Sequence, residues 1–228
     1  MSDNILYVVA TPIGNLKDIT LRALECLSTV DMVIAEDTRV AHRLLQSHGI
    51  TGMKIESVRE FSTEEDIERL LGRIEKDYSP AKVAYVADAG TPNISDPGGR
   101  MVQVARGMNW LVTPIPGVSA LTALLSVCGL PTSDGFLFLG FLPKKKGRQT
   151  LLKALPARWP IVFYERPERL KRTLADLAGV YDSATIAVIG RELTKMFETI
   201  DIINMEQLDS YSPVLKGEAV AMIVPRKK

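Results

Sequence analysis

The order in which two apolar patterns alternate constrains the fold of this chain most. Continuous runs of strand length, "ILYVVAT" at 5–11, "DMVIAE" at 31–36, "KVAYVAD" at 82–88 and "WLVTPIP" at 110–116, are separated by stretches with helical spacing. A strand that is apolar at nearly every position has both faces buried, the condition of a parallel sheet covered by helices on each side. The intervening helices are "LRALECL" at 21–27, capped by Thr20 or Asp18, a segment near 38–48, "STEEDIERLLGRIEKDY" at 62–78, and one at 97–107. In the third, Ile67, Leu70, Leu71 and Ile74 fall at i, i+3, i+4 and i+7, and Ser62 with Glu65 reads as a capping box.

After "PIPG" at 114–117 the rhythm changes. "VSALTALLSVCGL" at 118–130 reads as an apolar helix, expected to be deeply buried or at an interface. Strands are expected at 135–141, 160–164, 184–190, 197–203 and 218–224. "ELTKM" at 192–196 leaves little room for a helix between its flanking strands, so part of this second sheet is antiparallel. The expectation is two α/β domains, residues 1–116 with a mainly parallel sheet and residues 117–228 with a mixed one.

Composition removes several classes of function. The longest apolar stretch, "GFLFLGFLP" at 135–143, is far short of a membrane span. The segment "MSDNILYVVATP" has no basic region before its apolar run, so no signal peptide is expected and a cytoplasmic setting is the default. Cys26 and Cys128 are too few for a disulfide framework or a zinc site. His42 and His48 lie six apart and share no helix face, so no metal is expected. The net charge is +1, so any contact with a polyanion must come from local clusters.

Four segments carry chemistry, each with a plainer alternative. "ATPIGNLKDIT" at 10–20 ends the first strand without a dinucleotide fingerprint or a phosphate-binding lysine, and also reads as a simple strand-to-helix turn. "EDTR" at 36–39 places Glu36, Asp37 and Arg39 at a carboxyl edge, where open α/β sheets bind ligands, although Asp37 also suits a helix cap. "DAGTPNISDPGG" at 88–99 combines three glycines with Asp88, Thr91, Ser95 and Asp96 and contains no lysine. Carboxylates repel phosphate but suit a cationic or zwitterionic ligand, or ribose hydroxyls. Its "SDPGG" half also reads as Asp96 capping a helix that begins at Pro97. "GRELTKMFET" at 190–199 gathers Arg191, Glu192 and Lys195, able to hold a phosphodiester or to perturb one another's pKa, or else a solvated hairpin turn. Met196 and Phe197 read as core. Arg166, Arg169, Lys171 and Arg172 could contact a polyanion, or simply form a solvated helix face.

Taken together and in order, "YVVATPIGNLKDITLRALECL", "EDTR", "DAGTPNISDPG", "PIPGVSAL", "GFLP" and "RELTK" followed by "FE" resemble the tetrapyrrole (corrin/porphyrin) methylase superfamily, and within it the branch that methylates ribosomal RNA. The resemblance implies two α/β domains with S-adenosylmethionine bound in a cleft between them, and a homodimer. It also implies 2′-O-methylation of a cytidine in the decoding region of 16S rRNA in the small ribosomal subunit. By the same resemblance, Pro12, Ile13, Ala89, Gly90, Thr91, Ile94, Ser119 and Ala120 line the cofactor site, with Tyr164 and Glu165 from the second domain. Lys195, Glu192 and Asp37 are the candidates for removing the hydroxyl proton or steadying the alkoxide. Lys195 would need a depressed pKa to act as base. Arg39, Asp88, Ser95, Asp96 and Arg191 are the candidates for substrate contact. RNA would rest further on "KKKGR" at 144–148 and on Lys227 and Lys228. Two alternatives stay open: a methylase of a tetrapyrrole or other small molecule, and an RNA-binding relative without turnover.

Overall fold

Every strand pair in the first half of the chain is parallel. A computed structural model describes residues 3–96, 98–130, 132, 134–156, 158–182 and 184–225. Pro97, Lys227 and Lys228, singled out above, lie outside them. The chain divides into two compact units, Met1–Ser119 and Ala120–Lys228.

The first unit runs β1 (Ile5–Val9), α1 (Leu21–Thr29), β2 (Met32–Ala35), α2 (Thr38–Ser47), β3 (Ile55–Ser57), α3 (Glu64–Asp77), β4 (Lys82–Val86), α4 (Gly98–Gly107) and β5 (Leu111–Ile115). Its sheet has the order β3-β2-β4-β1-β5. The continuous apolar strands divide their residues between two cores with strict period two. Met32, Ile34, Val83 and Tyr85 meet Ile67, Leu71 and Ile74 of α3 and Met101 of α4. Val33, Ala35, Ala84 and Val86 meet Ala23 and Leu27 of α1 and Ala41 and Leu45 of α2. The inference from doubly apolar strands to a sheet covered on both faces therefore holds. The short edge strand β3 was absent from the sequence reading, since three half-exposed residues carry no periodic signal.

The second unit runs α5 (Ala120–Val127), β6 (Leu137–Phe141), α6 (Arg148–Lys153), β7 (Ile161–Glu165), α7 (Pro167–Ala178), β8 (Ile186–Arg191), β9 (Thr199–Asn204) and β10 (Ala219–Val224). Its sheet is mixed, in the order β6-β7-β10-β8-β9, with only β6 and β7 parallel. Of the two expectations for the apolar helix α5, deep burial is not met: Leu124 is buried, whereas Val127 is 48% exposed. Arg148 also departs from its neighbours in "KKKGR", the segment expected to contact RNA. It is buried, donating to Asp176 at 3.0 Å, to the Pro143 carbonyl at 3.2 Å and to Thr173 at 2.9 Å. Met196 and Phe197, read as core, are exposed instead, because the turn after β8 turns both toward solvent.

The start of α3 sits one residue later than the sequence suggested. Thr63 is the cap and Asp66 the reciprocal partner, each side chain bonding the other's backbone N–H. Ser62 instead accepts from the Arg59 N–H. Thr63→Ala should therefore lower stability by about 1 kcal/mol, while Glu65→Ala changes it little; urea unfolding of both variants checks the register.

Candidate active site

In the first unit, the loops that leave the carboxyl ends of β1, β2, β4 and β5 converge through the backbone. Thr11 and Gly90 form an isolated antiparallel bridge, Thr11 N–H donating at 2.9 Å and Gly90 N–H at 3.0 Å. Thr11 Oγ1 donates to the Ala87 carbonyl at 3.3 Å, and Thr91 Oγ1 donates to the Val118 carbonyl at 3.1 Å. Gly90 has φ +82°, and a Cβ on it would lie 3.3 Å from Ile13, so the loop needs glycine here for both conformation and room. Pro12, Ile13, Ala89, Gly90, Thr91, Ile94 and Ser119 thus come from three loops drawn to one edge. Pro12, Gly90 and Ser119 are buried, while Ala89 is exposed.

The "EDTR" segment joins the same edge, because the Asp37 N–H donates to Asp88 Oδ1 at 3.0 Å. Asp37 itself is the cap of α2, accepting from the Arg39 N–H at 2.8 Å and from both arms of the Arg39 guanidinium. Those hydrogen bonds hold its carboxyl far below the usual range, which counts against Asp37 as a proton acceptor. Asp96 also caps, accepting from the Asn93 and Gly98 N–H groups at 2.8 Å each. Ser95 is exposed, with φ +71°.

Glu36 differs from its neighbours. It makes no hydrogen bond or ion pair with a described residue. Partial burial, and then the charges of Asp88, Asp96, Glu60 and Asp37, push its carboxyl above the ordinary value. Partial burial raises Asp88 as well. Beneath them lies Tyr85, fully buried, with a hydroxyl that has no partner among the described residues. Tyr85 pairs with Ile34 across β4 and β2, so Glu36, two residues beyond Ile34, stands on the same face one step nearer the edge. A Cβ built on Gly98 would lie 3.0 Å from Tyr85 Cε1 and 2.9 Å from Asp96 Oδ1, so ring and carboxylate face one point. Sequence reasoning placed Glu36 with Asp37 at a ligand-binding edge but gave it no part in proton transfer, and missed Tyr85. The available signal was the period-two register of β2 and β4.

In the second unit, the turn after β8 holds Arg191, Glu192 and Lys195. Lys195 Nζ donates to Glu192 Oε1 and Glu218 Oε2, both at 2.9 Å. Partial burial lowers the Lys195 pKa, but those two hydrogen bonds outweigh it and leave the ammonium above its ordinary value. Those hydrogen bonds favour the ammonium over the free amine that a base would need. Burial raises the Glu192 carboxyl, and the Lys195 and Glu218 hydrogen bonds more than reverse this, so it stays ionised. Arg191 is buried and donates to the Phe197 carbonyl at 2.8 Å and the Lys216 carbonyl at 3.4 Å, so its fork closes the turn. Glu165 is 2% exposed and accepts from the Arg166 N–H at 2.9 Å and from Thr173 at 2.8 Å, with Arg169 3.4 Å away. Its oxygens are occupied by structure, which counts against a cofactor role. Tyr164 is half-buried and packs its ring against Phe138 and Phe141. Ala120 begins α5 and is half-buried.

Comparison with known proteins decides the family. Residues 5–209 match the model of the Tetrapyrrole (Corrin/Porphyrin) Methylases. The chain belongs to this methylase family. It is 43% identical to the ribosomal RNA small subunit methyltransferase I of Pseudomonas aeruginosa, over 98% of this chain and 79% of that one. It is 45% identical to the protein of the same name from Neisseria meningitidis, over 85% of this chain, and the match spans 65% of that relative's length. Among solved structures, uroporphyrin-III C-methyl transferase from Thermus thermophilus, complexed with S-adenyl homocysteine, superposes with a TM-score of 0.66 at 19% identity. The match covers 96% of each chain. At that identity the likeness speaks for the fold, which is that of the family. Among the described residues, no group of His, Cys, Asp and Glu could hold a metal ion, and no helix is long and apolar enough to cross a membrane.

The Lys195 pair has a pH signature. Glu192, depressed in the fold, contributes stability above its ordinary pKa and loses it as pH falls through its folded value. Lys195, raised in the fold, contributes below its ordinary pKa and loses it as pH rises through its folded value. The Tm deficit of Lys195→Met should therefore be largest at neutral pH and shrink toward about pH 3, as thermal melts across pH will show.

Proposed function

We propose that this chain transfers a methyl group from S-adenosylmethionine to the 2′-hydroxyl of a cytidine in 16S rRNA. The observation that carries the reading is 43% identity along 98% of the chain to a protein named as a ribosomal RNA small subunit methyltransferase. The edge of the first unit supports the cofactor. It offers bare backbone at Ala89 and Gly90, hydroxyls at Thr11 and Thr91, and the carboxylate of Asp88, with no lysine in the loop. That donor set suits a sulfonium, a zwitterionic amino acid and a ribose, none of which is a phosphate. S-adenosylmethionine supplies an electrophilic methyl group when bound. Pro12, Ile13, Ala89, Gly90, Thr91, Ile94 and Ser119 are the residues of this unit that would hold it, and Ala120 is the candidate from α5.

The remaining problem is the proton. A ribose hydroxyl has a pKa of about 12 or above, so it must lose its proton as the new bond forms, and a stronger base than an ordinary carboxylate helps. Glu36 meets that need. It has no cation or hydrogen bond among the described residues to hold it ionised, and it is surrounded by negative charge. Lys195 is fixed as an ammonium beside Glu192 and Glu218, which suits it to a phosphodiester oxygen. Asp88, held by the Asp37 N–H, keeps the Glu36 environment negative.

Labelled methyl transfer to small ribosomal subunits lacking the modification tests the function. Label recovered as 2′-O-methylcytidine is expected. Label in a tetrapyrrole and none in RNA would overturn the reading. Within it, Glu36→Gln should lower kcat by about 10²–10⁴-fold while S-adenosylhomocysteine affinity, measured by calorimetry, stays within about threefold of wild type. The same variant should raise Tm at neutral pH. A raised carboxyl pKa means the fold is penalised once pH rises past the ordinary Glu value, and glutamine removes that penalty.

A further inference from the structure

The outward side of α2 carries three cationic or titratable groups on one face. Arg39, His42 and Arg43 fall at i, i+3 and i+4 of the helix, and all three are exposed. With Gln46, and with Met53 and Ile55 on the opposite side, they line a groove of about 570 Å³. Arg39 is engaged by Asp37. The side chains of His42 and Arg43 make no hydrogen bond or ion pair with any described residue. The nearest carboxylate on β3 belongs to Glu56, and it is turned away. By strand alternation Glu56 faces opposite to Ile55, and its carboxylate takes the Arg73 guanidinium of α3 at 2.8 Å. The groove is therefore cationic on one side and apolar on the other, in a chain whose net charge is only +1.

Those two sides select a ligand class. Arg43 offers an unengaged guanidinium for a phosphodiester, and the Gln46 amide can both donate and accept toward a base edge. The half-buried Met53 and Ile55 offer apolar surface for a base face. A volume of this size accommodates a nucleotide. The groove also starts where the chemistry is. Arg39 follows Asp37, whose N–H is bonded to Asp88 at the carboxyl edge, and from there the helix carries the groove about 10 Å to Gln46.

Resting on the reading of RNA as substrate, we infer that the α2–β3 groove binds a single-stranded nucleotide flanking the target cytidine, its phosphate on Arg43 and its base against Met53 and Ile55. Such a site holds the strand in register while the target ribose is presented at the edge, and it supplies the local positive charge that the chain lacks as a whole.

The test is the affinity of the full chain for a fluorescein-labelled 12-nucleotide single-stranded RNA, followed by anisotropy over a series of salt concentrations. Arg43→Glu should weaken binding by at least about tenfold and reduce the slope of log K against log salt by about one, with S-adenosylhomocysteine affinity and Tm unchanged. Lys153→Glu, the same charge change on α6, should leave that slope near the wild-type value. If wild type methylates small subunits and Arg43→Glu keeps both affinity and slope, the groove assignment is wrong and the function stands. If wild type places no methyl in RNA, the function fails and the groove assignment falls with it.

Discussion

Two backbone hydrogen bonds between Thr11 and Gly90 organise the first unit's edge. They tie the loop after β1 to the loop after β4, the two neighbours at the middle of the sheet, and they need no side chain to do it. Once that bridge is made, Ile13 is set against Gly90, Thr91 reaches the Val118 carbonyl, and the loop after β5 is drawn in. Gly117 lets it approach: a Cβ there would meet that of Ala10 at 2.8 Å. A parallel sheet presents all its carboxyl ends on one side, and this bridge turns three separate loops into a single surface.

Charge is arranged by opposite rules in the two units. In the second unit nearly every candidate carboxylate is compensated: Glu165 by Thr173 and Arg169, Glu192 by Lys195, and Glu218 by the same lysine. These groups are pinned by their hydrogen-bond and ion-pair partners. In the first unit Glu36 has no cation or hydrogen bond among the described residues and feels the charge of Asp88, and a phenol without a partner among them sits underneath. Destabilised carboxylates of this kind are found where proton transfer is needed, and they cost the fold stability that its apolar core must offset.

The fold was legible because hydrophobic periodicity reports burial, and burial is what the strands and long helices share. All five strands of the second unit were placed from apolar runs alone, and the antiparallel turn after β8 followed from the length of "ELTKM". What failed was everything decided by partners distant in sequence. Nothing local distinguishes Arg148, buried on Asp176 and Thr173, from the lysines before it, and Thr63 outcompetes Ser62 as cap by one residue of register. The site was legible at the level of loops and not of roles. "DAGTP", "EDTR" and "RELTK" were each located, but Asp37, Asp96 and Glu165 turn out to serve the backbone, and Lys195 is held as a cation. Hydrogen-bond partners determine a carboxylate's role, and these are set by tertiary packing.

The glycines of "DAGTPNISDPGG" suggest softness, yet Gly98 and Gly99 stand where Asn93 packs too closely to admit a side chain. Gly98 and Gly99 leave room for Asn93: a Cβ on the second would fall 2.6 Å from its side-chain oxygen, and one on the first 2.9 Å from its backbone nitrogen. Asn93 and Ser95 are both held at positive φ, and Asp96 bonds the Asn93 and Gly98 N–H groups. Residues packed and bonded this closely have less conformational entropy to lose when a ligand arrives. The glycines act as a mould with the relief cut away. The same packing couples two positions through time: a Cβ at Gly99 would meet the Asn93 side chain, so a larger residue at Gly99 requires a shorter one at Asn93, and drift there should proceed by paired changes.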